Sequence, residues 1–164
     1  MANNQNSGGM PYPLTKMNFF VSVDGGGTAA FNEVTGIDAS VDVVEFRQGN
    51  SGSLTPVKIP GLVHHGNITL KFGYTVGNEF KNWVIKCASD NRGEGFDRHN
   101  VTIELINIQE GGPTSMVEAV GSGPQWVLTD AWVAKYNAPD LNATTSEVAI
   151  ESVEIAYELL QIPN

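Results

Sequence analysis

The 164-residue chain has little cysteine, little positive charge and no long apolar run. Its single cysteine, Cys87, excludes an internal disulfide and any cysteine-built zinc site within one copy. One thiol fits folding in a reducing cytoplasm. Nine Lys and Arg stand against 18 Asp and Glu, for a formal net charge of −9. Binding to nucleic-acid phosphates needs clustered cations, and these nine are scattered. An acidic surface repels nucleic acid and acidic cargo instead. No apolar run approaches the ~20 residues that span a bilayer, so no membrane anchor is expected. The first 13 residues lack the basic and apolar regions of a secretion signal.

The sets of residues that run reactions are also missing. The sequence holds three histidines. His64 and His65 are adjacent, and neighbours on a strand point to opposite faces, which disfavours a shared metal. His99 follows a Gly-rich turn, and no His-Glu-x-x-His spacing occurs. There is no Gly-x-Ser-x-Gly elbow, and Ser115 and Ser122 have no evident base. The run "DGGGTAAF" lacks the following helix that a phosphate loop requires. Asp24, Asp38, Asp42 and Glu45 read as a solvated strand face, and Cys87 as a core residue. Neither catalysis nor a cofactor is expected.

What is present is turn chemistry and alternation. Eighteen glycines and eight prolines favour a mainly β fold. Residues 1–12 read as a flexible arm and 13–164 as a single domain. Met17, Phe19, Val21 and Val23 alternate, "DGGGT" turns, and Ala29–Thr35 resumes extended structure, which predicts a hairpin. In the next strand Val41, Val43 and Glu45 share one side, with Asp42, Val44 and Phe46 on the other. Residues 47–61 read as one long loop, with Pro60–Gly61 as a turn. Ile68, Leu70, Phe72 and Tyr74 then face one way. The period changes at Phe80, Trp83, Val84 and Cys87, which predicts a helix over about 78–90 with Asn78 as its cap and "NRGEG" as its stop. Strands follow at 99–109, 116–120 and 125–137, the last with Trp126, Leu128 and Trp132 on one face. The final segment reads equally as a strand whose phase flips near Glu151 and Ser152, or as a helix with capping-box spacing from Thr144.

The order of these motifs carries further information. "YPLTKMNFFVSVDG", "AAFNEVTGIDASVDVVEFRQGN", "VKIPGLVHHGNITLKFG", "FKNWV" and the stretch from "WVLTDAW" to "EIAYELL" together resemble the tail-tube proteins of contractile phages and bacterial contractile injection systems. The resemblance covers residues 12–160. It implies two packed antiparallel sheets in a barrel like that of the haemolysin-coregulated (Hcp) tube protein of type VI secretion, with one helix at the side and a strand with a bulge at the C-terminus. It implies homohexameric rings stacked into a tube within a contractile sheath, with baseplate and spike proteins at one end. Protein cargo or DNA would pass through the lumen without specific binding. Assembly would take place in the bacterial cytoplasm, within a virion or a phage-tail-like particle that can be released. Residues 47–61 would form an inter-ring loop, with Arg47, Gln48, Lys58, Ile59, His64 and His65 as contact candidates. Histidine charge would then make stacking pH-sensitive. A secreted ring that carries effectors and a barrel that binds a small ligand are the competing readings.

Overall fold

The computed structural model describes residues 18–25, 27–28, 31–74, 79–89, 97–106, 121 and 123–164. The expected N-terminal arm, the Asn78 cap, the "NRGEG" stop and the strand at 116–120 lie outside them. The elements are β1 (Phe19–Val23), β2 (Gly27–Thr28), β3 (Phe31–Thr35), β4 (Ser40–Phe46), β5 (Val57–His64), β6 (Ile68–Gly73), α1 (Glu79–Ala88), β7 (His99–Leu105), β8 (Gln125–Asn137), β9 (Ile150–Ala156) and β10 (Leu159–Gln161). The protein is mainly β, with two antiparallel sheets and, among the described residues, one helix.

The larger sheet has the strand order β2-β1-β7-β8-β9-β6-β3, with β10 paired to β8. It folds over a single core. Val21 and Val23 of β1, Val101 and Ile103 of β7, Ile68, Leu70 and Phe72 of β6, and Val153 and Ile155 of β9 are buried in one cluster. Phe19 and Val34 lie near opposite ends of the strand order, yet both line one open apolar cavity of about 510 Å³ with Ile37, Ile103, Leu105 and Trp126. Among the described residues the expected hairpin closes only through Gly27 and Thr28, which pair with Val23 and Ser22. β3 departs instead to pair with β6. The non-local partner wins because it lets Phe31 and Val34 pack against the core.

The helix covers the core with the stripe its spacing predicts. Phe80, Trp83 and Val84 are buried, and Cys87 packs beside them. The Phe80 ring meets those of Phe31, Phe72 and Trp83 edge-on, at centroid distances of 5.0, 5.3 and 5.8 Å. Each such pair contributes about 0.5–1.5 kcal/mol beyond its buried area.

Two strands correct the expected phase. In β8, Leu128 is buried, but Ala131 and Val133 are the next inward residues, so Trp132 does not share the face of Leu128. Asp130, at φ 53°, adds one residue to β8 opposite β7 and reverses the alternation. At the C-terminus the strand alternative holds, without a flip in β9. Glu151, Val153, Ile155 and Tyr157 form one buried series, and β9 pairs with β6 in unbroken register. The irregularity lies across from it, in β8 between Val133 and Lys135.

Candidate assembly surface

The second sheet is a two-stranded ribbon of β4 and β5, and every residue in it is exposed. The loop at its end spans only 47–56. Residues 57–61, expected in that loop, belong to β5. The sequence concealed this strand because Pro60–Gly61 resembles a turn. Here the pair lies at a bulge in an edge strand, where Pro is tolerated. Gly61 also has a packing reason, since a Cβ there would lie 3.1 Å from Asp42 Cβ.

The predicted alternation of β4 is observed. Val41 pairs with Val63, Val43 with Pro60 and Glu45 with Lys58 on one face. Ser40 pairs with His64, Val44 with Ile59 and Phe46 with Val57 on the other. Lys58 Nζ lies 3.9 Å from Glu45, and His64 Nε2 lies 2.9 Å from Asp42 Oδ2. The end loop is held by its own polar groups. Arg47 Nε donates to the Ser53 carbonyl at 3.1 Å, and the Ser51 amide donates to the Gln48 carbonyl at 3.1 Å.

The six candidate contact residues therefore separate into two groups. Arg47, Gln48, Lys58 and Ile59 lie toward the tip, and His64 and His65 at the root. The seven residues of β4 span about 20 Å between the ends of the ribbon.

Asp38 fixes the root. Its Oδ1 accepts the Gly66 amide at 2.7 Å, and its carbonyl accepts the Tyr157 hydroxyl at 3.2 Å. His65 Nδ1 lies 3.4 Å from that carbonyl, and its ring rests on Tyr157 at a centroid distance of 5.2 Å. Burial pushes the Tyr157 hydroxyl above its ordinary pKa. Gly36, at φ 89°, lets the chain turn out of β3, and a Cβ there would lie 2.7 Å from the Asn67 carbonyl oxygen. His64 and His65 thus hold the root of the ribbon by different partners and share no metal geometry. His99 lies elsewhere, 3.0 Å from Asp97 and edge-on to Trp83.

Two buried carboxylates escaped the sequence reading. Glu104 accepts the amides of Gly121 and Gly123, at 2.6 and 3.0 Å, and the Gln125 side chain at 3.3 Å. Glu151 receives Lys81 and the hydroxyl of Tyr136. That hydrogen bond holds the Tyr136 phenol protonated and pushes its pKa up to about 12. Among the described residues no group of three or more His, Cys, Asp or Glu could hold a metal ion. Burial raises the Cys87 thiol above its ordinary pKa, which disfavours the thiolate a nucleophile would need.

Among the described residues no helix is long and apolar enough to cross a membrane. The fold is similar to that of a chain in the extended sheath–tube complex of PVC, an extracellular contractile injection system (24% identity, TM-score 0.69, covering 93% of this chain and 94% of that one). It is also similar to a chain of the extended PVC sheath/tube terminator (25% identity, TM-score 0.72, covering 95% and 100%). An Hcp protein crystal structure shares the fold at 12% identity and a TM-score of 0.51, covering 85% of this chain and 88% of that one. Comparison with curated protein sequences gives no match. The family model described as T4-like virus tail tube protein gp19 matches residues 15–161, and the chain belongs to that family.

Proposed function

We propose that the protein is the structural subunit of the inner tube of a contractile injection system or phage tail. Six copies form a ring, rings stack into a hollow tube, and a contractile sheath surrounds it between baseplate and terminator. The observation that carries this reading is the β4–β5 ribbon, whose strands expose apolar side chains that a solitary chain leaves in water. Family membership and the likeness to chains of sheath–tube and terminator complexes support it. Assembly takes place in the bacterial cytoplasm, and the finished particle carries the tube out of the cell. The chain performs no catalysis and binds no cofactor. With a net charge of −9, it gives a wall that does not retain DNA or acidic cargo.

The test is electron microscopy of the purified protein over a range of concentrations, alone and with its sheath and baseplate partners. Six-fold rings or hollow tubes are expected. A chain that stays monomeric in every mixture would overturn the reading.

A further inference from the structure

The larger sheet does not close on itself. β3 ends its strand order and, among the described residues, pairs only with β6. The open apolar cavity of about 510 Å³ lies beside it. Asn32, Glu33, Val34 and Thr35 all line that cavity, although successive residues of a strand point to opposite faces. Space that touches both faces of a strand runs along its edge. Phe19, Leu105 and Trp126 form the opposite wall. A strand laid there would meet unpaired backbone groups on one side and apolar side chains on the other.

The sequence that precedes the described fold matches both sides. The chain enters at Asn18, whose carbonyl accepts the Ile106 amide at 2.9 Å, and the next residue, Phe19, already belongs to the cavity wall. Residues 10–14 read Met-Pro-Tyr-Pro-Leu. On a strand, Met10, Tyr12 and Leu14 share one side-chain face. Their amides share one edge, and Pro11 and Pro13, which have no amide, fall on the other. Proline is tolerated on an edge strand when its missing donor faces water. Such a segment pairs along one edge and blocks further pairing along the other. The chain from Leu14 to Asn18 reaches about 13–14 Å, enough to turn back past Phe19. Lys16 is the only charged side chain among residues 1–17, so all 18 Asp and Glu lie in the rest of the chain and no like charge opposes the approach.

We propose that residues 10–14 of the same chain dock along the free edge of β3 as an added edge strand. Met10, Tyr12 and Leu14 fill the cavity between Val34 and Trp126, and the two prolines face water. The cavity is thus a seat for the chain's own N-terminal segment. The inference stands apart from the tube reading, because the segment completes the core of a single copy.

Amide hydrogen exchange and nuclear Overhauser contacts of the full chain, followed over a dilution series, test the proposal. The amides of Asn32–Thr35 that point away from β6 are expected to exchange about tenfold or more slowly than an open edge, at every concentration. The Tyr12 ring is expected to contact the side chain of Val34 or Trp126. Tyr12→Ser with Leu14→Ser should return those amides to fast exchange while β9 stays protected. Pro11→Ala with Pro13→Ala should leave them slow, because the restored amides face water. Fast exchange at this edge in the unaltered chain overturns the proposal, as does protection that survives the serine variant or is lost in the alanine variant. Protection that appears only as concentration rises also overturns it and gives the groove to a second copy. If the serine variant loses protection in β9 as well, the unaltered chain decides, and absence of the Tyr12 contacts there overturns the proposal.

Discussion

Lys81 on the helix places its ammonium 2.8 and 3.0 Å from the two carboxylate oxygens of Glu151, whose side chain has no exposed surface. The same ammonium lies 3.8 Å from the centroid of the Tyr74 ring. The pair ties α1 to the inner face of β9. Removing only the cation leaves a buried, uncompensated charge. Lys81→Met is therefore expected to cost about 3–5 kcal/mol, and Lys81→Met with Glu151→Leu to recover most of it. Urea unfolding of both variants measures the difference. A Lys81→Met chain as stable as wild type would show that the pair contributes nothing.

Tyr136 shares that carboxylate, and its pKa is pushed up from 10.0 to about 12 by the hydrogen bond to Glu151. A raised folded pKa gives a stabilisation that is complete below the unfolded value of about 10 and is lost as pH rises through about 12. Phenolate absorbance is expected to include a step near pH 12 from Tyr136. Tyr136→Phe should remove that step and flatten the loss of stability between those two pH values. A late step that persists in Tyr136→Phe would assign it to another tyrosine.

Asp38 holds the ribbon to the barrel through Gly66 and Tyr157. Tyr157→Phe removes one hydrogen bond and is expected to cost about 0.5–1.5 kcal/mol. Hydrogen exchange should localise the effect. Amides of β4 and β5 exchange faster, while those of β6 and β9 are less affected. Uniform acceleration across the core would instead mean a global loss of stability.

Asp130 occupies a left-handed conformation at φ 53°, and its amide donates to Asn100 Oδ1 at 3.3 Å. Asp tolerates this region and a β-branched residue does not. Asp130→Val is expected to cost about 1–2 kcal/mol, and Asp130→Gly to stay within about 0.5 kcal/mol of wild type. Thermal unfolding separates them. Equal effects of the two substitutions would show that the bulge does not depend on this conformation.

The parts legible in the sequence are those that one local period determines. Phe80, Trp83 and Val84 announced the buried helix stripe, and the alternation of Val41 to Phe46 gave the two ribbon faces. The misread parts depend on distant partners. The phase flip expected near Glu151 and Ser152 is absent because Glu151 itself points inward, a place that makes sense only with Lys81, seventy positions away. The change of phase at Asp130 needs a backbone conformation that any aspartate can take or avoid. β5 was hidden because Pro60–Gly61 reads as a turn when no partner strand is in view. The six contact candidates rest on resemblance alone, and the fold distributes them between tip and root.

Among the described residues the ribbon is fixed at one end only, and this has a mechanical consequence. β3 leads into β4, and β5 leads into β6, through the short segments 36–39 and 65–67, with Asp38 between them. The element is a cantilever with its pivot at that aspartate. Over a span of about 20 Å, a swing of about ten degrees at the pivot displaces Arg47 and Gln48 by roughly 3–4 Å, the width of a side chain. Small angular adjustments at Asp38, Gly66 and Tyr157 are thus magnified at the far loop, where docking would feel them most.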